Sequence, residues 1–289
     1  MSNSFYTNAH QSQLRRLIPD LIRSRELLRD LVWKDIRVRY RYAVMGFLWA
    51  VLEPLFMMIV LTFVFSVVFQ LRFQGINGDA SSGETAVIIL TGLIAWQFFA
   101  TALASATSSL TDNRALITKV NFPREVIPLS TVGIALVNFA IGSCLLLIVY
   151  TLLLGKLPGA TIIWLPAIFA IQFVLVTGLG MLFSCMNAAF RDVGYMVNAS
   201  LLFGFYATPI FYQTTLVQTE LSNRGWDILY TLYFLNPMAG IVTAYREILF
   251  YNQVPSWQLL AWPILSAILA LTVGTIYFRK HAPTLSDIL

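Results

Sequence analysis

Charge is scarce in this sequence. Asp, Glu, Lys and Arg make up 11% of its residues, less than half the share found in an ordinary soluble domain. Cysteine and histidine number two each. Cys144 and Cys185 lie far apart inside apolar stretches, so the chain carries neither a disulfide framework nor a Cys/His metal site. His10 and His281 sit near opposite ends of the sequence and belong to no evident motif. No Gly–Lys–Ser/Thr occurs, which excludes a phosphate-binding loop; Gly155–Lys156 is followed by Leu157. No serine sits in a nucleophile elbow, and Asp79, Glu84, Glu220 and Asp227 are too scattered for acid–base work. The chain therefore offers no catalytic, cofactor-binding or metal-ligating residue.

What is present is hydrophobic length, at 58% of the residues. Uncharged runs extend over Thr85–Thr111, Val126–Gly155, Leu157–Phe190, Val193–Thr219 and Ile248–Phe278. Each is long enough for the roughly 20 residues that cross a bilayer, and backbone amides in lipid must be bonded within their own segment, which selects helices. The expected fold class is an all-α integral membrane protein with six spans near 47–69, 87–106, 127–154, 161–185, 195–212 and 259–278. Residues 1–46 form a cytoplasmic N-terminal segment without a secretory leader, and 47–289 the membrane domain. Between the last two spans lies a stretch at about 228–250, in which Asn236–Pro237 cuts the aromatic, uncharged run Ile228–Tyr245. It reads as a re-entrant helical hairpin that returns to its own side, with Asp227 and Arg246 both facing the exterior. A seventh span is the alternative.

The basic residues set the orientation. Arg15, Arg16, Arg23, Arg25, Arg29, Lys34, Arg37, Arg39, Arg41, Arg114, Lys119, Arg124, Arg191, Arg279 and Lys280 fall on the side that holds both termini, against Arg72, Lys156, Arg224 and Arg246 on the other. Both termini are therefore expected in the cytoplasm. The basic pI is a topology signal, and no nucleic acid is implied.

Two cytoplasmic segments carry more detail. From Arg25 to Arg41 the charges recur every three or four residues beside Leu27, Leu28, Leu31 and Val32, the pattern of a helix lying in the membrane surface with Lys34, Arg37, Arg39 and Arg41 toward headgroups and cytosol. In the loop Thr111–Glu125, a short helix ends before Pro123, with Arg114 and Lys119 flanking Leu116 and Ile117. A two-turn rod tipped with apolar residues suits a groove on a partner. Within the membrane, Glu53 is either an interfacial carboxylate paired with arginine or part of a substrate entrance.

RVRYRYAVMGFLWAVLEP (Arg37–Pro54) and LITKVNFPREVIPLS (Leu116–Ser130) closely resemble the permease subunits of bacterial polysaccharide ABC exporters, which move O-antigen, capsule or teichoic acid. The resemblance covers nearly the whole chain. It implies a homodimeric channel in the bacterial cytoplasmic membrane, with two copies of a cytoplasmic ATPase that bind ATP and magnesium; this chain binds no cofactor. It also implies a lipid-linked polysaccharide substrate, besides contact with membrane lipid. By the same resemblance, Arg114, Leu116, Ile117, Lys119, Phe122 and Arg124 form a coupling helix and its flank on the ATPase. Arg191 and Asp192 form a smaller contact, and Asn236 and Pro237 belong to an outer gate. Trp49, Glu53, Phe56, Trp96, Asn198, Tyr206 and Tyr212 are candidates for the channel or its entrance, because flat rings offer sugar C–H faces a surface on which to slide. A drug or lipid exporter permease is the nearest alternative, and a membrane-embedded glycan-processing enzyme a more distant one.

Overall fold

A computed structural model of the chain describes residues 25–41, 48–69, 74–75, 78–119 and 122–282, with backbone alone at ten of these, including Arg39, Arg41 and Lys119. Residues 1–24, and Phe47 at the expected start of the first span, lie outside the described residues.

The described chain is helical apart from one two-residue antiparallel pair, β1 (Gln74–Gly75) with β2 (Gly78–Asp79). Helix α1 covers Arg25–Arg41, and α2, Trp49–Thr62, runs on through a π-helical turn to Val68. Helix α3 covers Ser82–Asp112, α4 Arg114–Lys119 and α5 Val126–Leu154. A 3-10 turn at Ala160–Trp164 leads into α6, Leu165–Ala189. Then follow α7 (Asp192–Ala207), α8 (Thr214–Asn223), α9 (Asp227–Tyr233), α10 (Pro237–Leu249) and α11 (Trp257–His281).

The ends of these helices follow from local chemistry. Ser81 and Glu84 close a capping box, so α3 starts five residues before its expected first residue. It runs 31 residues, about 46 Å. Gly155, at φ +64°, takes the left-handed position that terminates α5. Ser256 caps α11 through its hydroxyl, and Pro237 opens α10 at a position where its missing amide costs nothing.

Among the described residues, five helical segments are long and apolar enough to cross a membrane: Trp49–Val68, Ser82–Asp112, Val126–Leu154, Ala160–Ala189 and Trp257–His281. At the expected span 195–212 the helix begins and ends earlier. Its helix, α7, stops at Ala207 after 16 residues, and Thr208 turns extended at ψ 142°. Pro209 is the cause, since its ring excludes helical geometry from the residue before it. The segment Thr208–Gln213 then folds inward, with Thr208, Ile210 and Phe211 buried. Helices α8, α9 and α10 are each too short to span, at 10, 7 and 13 residues.

Helix α3 is the hub, buried over 83% of its most apolar window where the other four spans reach 11–39%. It packs on α5, α6, α7 and α10, while α11 lies along α6 and α1 rests on α5. Lipid tails are as apolar as Leu, so helices in a bilayer associate through close packing at small residues. Gly178 of α6 and Gly274 of α11 do this: a Cβ on Gly274 would overlap the Gly178 carbonyl. Gly274→Leu is expected to force the two helices apart. Its cost should reach or exceed the roughly 1–3 kcal/mol of ordinary overpacking, seen as a lower melting temperature in detergent and loss of the monodisperse peak. An unchanged melting temperature would show that the two backbones are not in contact.

Candidate functional site

At the α10 end of the bundle, Arg246 decides the local architecture. It is 5% exposed. Its Nη2 donates to the Ile210 carbonyl at 2.6 Å, Nη1 to the Tyr212 carbonyl at 2.8 Å and Nε to the Ile88 carbonyl at 3.3 Å. One guanidinium thus binds α10 to the Thr208–Gln213 segment and to the first turns of α3. Gly92 makes the room, since a Cβ there would lie 2.9 Å from the Ile210 oxygen and 3.1 Å from Nη2. Burial lowers the Arg246 pKa to about 10, which leaves a full cation at neutral pH. The outward-facing Arg246 expected from charge counting is therefore an interior clamp: its carbonyl partners replace the water that a surface arginine would keep.

A second polar tie sits one residue earlier. Tyr245 donates from its hydroxyl to Gln172 Oε1 at 3.0 Å, and Gln172 Nε2 donates to the Ala95 carbonyl at 2.6 Å. All of this is buried, so each polar atom needs a partner inside the protein. Asn236 caps α10 through the Met238 amide, and its Nδ2 donates to Thr208 Oγ1 at 2.9 Å. Asn236–Pro237 therefore starts a helix and pins it to the end of α7. Tyr212 donates to the Tyr206 carbonyl and accepts from Tyr233.

Among the described residues, the helix faces left uncovered include those of α2 and α7. On α2, Trp49, Glu53, Phe56, Val60, Phe63 and Val67 recur at three- and four-residue steps and are all exposed; only Pro54 and Met58 of this helix are buried. Glu53 has no ion pair among the described residues, so the arginine-paired reading finds no partner there. On α7, Tyr195, Asn198, Phe203 and Tyr206 are exposed. The π-helical end of α2 meets the segment that follows α7, where Phe65 stacks on Phe211 at 4.7 Å between ring centres and Phe205 of α7 lies 5.7 Å from Phe211. Trp96 is 7% exposed and packs against Gly204, whose missing side chain lets α7 approach. It lines a groove of about 460 Å³ together with Phe99, Phe183, Val197, Phe203 and Asn236. The sequence-chosen channel residues thus divide: Trp49, Glu53, Phe56, Asn198 and Tyr206 lie on open faces, Trp96 on a groove wall, and Tyr212 half-buried in the Arg246 network.

At the opposite end, α4 forms the short rod that the loop sequence suggests. Its two apolar residues part company. Ile117 is 5% exposed and packs with Leu110, Ile127, Met181, Cys185 and Phe278 in a small core of its own, joined by Phe122. Leu116 is only half-buried, and Arg114 is exposed. Of the pair expected to face a partner, Ile117 instead anchors the rod to the membrane domain, because a helix this short cannot hold its position without a buried foot. The loop's far end is tied to α11: Arg124 donates to the Ala282 carbonyl, and Glu125 pairs with Arg279 at 3.5 Å with both side chains largely buried. Between α6 and α7, Asn187 accepts from the Gly194 amide at 2.9 Å, which closes a turn that exposes Arg191 and Asp192. On α1, Lys34 and Arg37 are exposed, with the Arg37 guanidinium 6.0 Å from the Trp33 ring. The Arg39, Arg41 and Lys119 side chains lie outside the described residues.

Sequence reading passed over Arg246 and Gln172 as functional positions. A signal was legible for Gln172, a lone strong hydrogen-bonding residue in an otherwise apolar run, and such residues in membrane proteins need a partner; Arg246 gave none, because Glu247 beside it makes it read as part of a charged surface pair.

The ABC-2 type transporter family model matches residues 26–250. The O-antigen export system permease RfbA of Myxococcus xanthus is 30% identical over 267 residues, 92% of this chain and 96% of that protein. A protein of the same description from Klebsiella pneumoniae is 29% identical over 265 residues, 91% of this chain and 95% of that protein.

Proposed function

The chain belongs to the ABC-2 type transporter membrane family, and from that premise we propose that it forms the channel of an ATP-driven exporter of lipid-linked polysaccharide. The observation that carries this reading is end-to-end similarity to permeases named for O-antigen export. Two copies of the chain assemble, and the uncovered faces of α2 and α7 supply apolar and aromatic surface for that contact and for the polymer's path. ATP is hydrolysed on a separate cytoplasmic subunit. Arg114, Leu116, Arg124, Arg191 and Asp192 meet that subunit, and the ties from Arg124 and Glu125 to α11 carry its movement into the bundle. Helix α1, with Lys34 and Arg37 outward, lies along the inner membrane face, and Asn236–Pro237 belongs to the outer gate.

The purified chain is expected to show no saturable nucleotide binding, and ATP turnover and surface glycan should appear only with a partner ATPase. Nucleotide binding by the isolated chain would overturn this division of labour. The hairpin topology has its own test. With Cys144 and Cys185 replaced, single cysteines at the exposed positions Arg224 and Gln253 should both react with a membrane-impermeant thiol reagent from outside. Labelling from opposite sides would mean that the intervening segment crosses the membrane.

A further inference from the structure

One polar pocket stands apart from these apolar faces. It lies between the start of α8 and the last turn of α10, with a volume of about 280 Å³, and its lining includes Gln213, Thr215, Thr243, Glu247, Tyr251 and Gln253, with Arg246 at its edge. We propose that this pocket binds one sugar unit of a neutral, polyhydroxylated glycan at the outer mouth of the protein. The proposal rests on the reading of the chain as a glycan exporter, which puts these elements on the exit side.

The chemistry narrows the ligand. The Glu247 carboxylate is half-buried and has no ion pair or hydrogen bond among the described residues. An ionised carboxylate only accepts, and burial raises its pKa because no donor compensates for the lost water. Such a group is complete only when a ligand donates to it. A metal ion is disfavoured by the Arg246 cation at the pocket edge, and an anion by Glu247 itself. A neutral polyol meets both conditions, since its hydroxyls donate to Glu247 and accept from the side-chain amide of Gln253. The Tyr251 ring supplies a flat face for sugar C–H groups.

The pocket is also built rather than incidental. Gln213 Nε2 donates to the Tyr251 hydroxyl at 2.8 Å, which orients that ring. The Gln253 amide donates to the Glu247 carbonyl at 2.9 Å. Asn252, at φ +51°, accepts from the Thr161 hydroxyl at 2.7 Å, and the same hydroxyl reaches the Ile248 carbonyl, so the turn that carries Tyr251 and Gln253 is held from α6's leading turn. Its size equals the liquid volume of about nine waters, room for one pyranose and not for a lipid. Gln213 directly follows Tyr212, so the pocket adjoins the aromatic surface at the end of α7.

The test uses the full chain in lipid nanodiscs, with glucose, mannose, galactose and N-acetylglucosamine each offered alone and followed by saturation-transfer NMR and calorimetry. At least one sugar is expected to bind saturably. Glu247→Ala should weaken it about tenfold or more, as loss of a charged hydrogen bond does. Gln253→Ala, an exposed site that leaves folding intact, should weaken it several-fold. Calcium alone and inorganic phosphate alone should not bind. No sugar binding, binding indifferent to both substitutions, or calcium binding lost in Glu247→Ala would each overturn the proposal. An assay of surface glycan in cells that also express the partner ATPase separates the two readings. Glycan export without sugar binding sinks the pocket alone; Glu247-dependent sugar binding without glycan export sinks the exporter reading alone.

Discussion

Arg246→Met is expected to cost the protein at least about 2 kcal/mol of stability. It leaves the Ile210 and Tyr212 carbonyls without their donors in a buried site, while the Ile88 carbonyl keeps its helical bond, and each such orphan costs about 1–3 kcal/mol. Methionine fills much of the volume, so the loss isolates the hydrogen bonds from packing. Thr208–Gln213 should detach from α3 and α10, making the chain between α7 and α8 newly sensitive to protease. Arg246→Lys keeps the charge and should recover only part of the loss, because one ammonium cannot match the spread of three carbonyls that the planar fork reaches. Equal stability of wild type and Arg246→Met, measured by melting in detergent, would show that the clamp contributes nothing.

The second large effect separates two adjacent residues. Ile117→Asp should destabilise the α4 end of the bundle by about 2–5 kcal/mol from lost packing, with a further cost for placing a carboxylate among Leu110, Ile127, Met181 and Phe278. Leu116→Asp, on the open side of the same helix, should stay within roughly 0.5 kcal/mol of wild type. Under the proposed function both lose co-purification with the ATPase, for different reasons: Ile117→Asp because the rod is no longer held, Leu116→Asp because the contact itself is spoiled. A melting temperature that falls for Leu116→Asp and not for Ile117→Asp would reverse the assignment of the two faces.

Some features were legible in the sequence because they depend on length and local composition. Hydrophobic run length located the five long segments, since only about 20 apolar residues can cross hydrocarbon. Charge spacing located α1, and Pro123 marked the end of the stub that became α4. The early end of α7 was also present locally, in Thr208–Pro209, but apolar continuity to Tyr212 masked it. Hydropathy cannot distinguish a helix crossing lipid from a broken chain packed inside protein.

Sequence alone thus determined an all-helical membrane protein and which residues are chemically able to meet water, lipid or a partner. It did so because backbone satisfaction in hydrocarbon and the cost of buried charge act on each segment independently. Which side of a residue is covered was decided only in three dimensions. Arg246 became an interior clamp because three carbonyls from two other elements converge on it. Ile117 turned inward because Phe278 of the last helix, far along the chain, completes the pocket beneath it. Glycine 274 is indispensable only because Gly178 lies against it. Each of these outcomes depends on contacts between residues distant in sequence, and a pattern read along one dimension holds no record of those contacts.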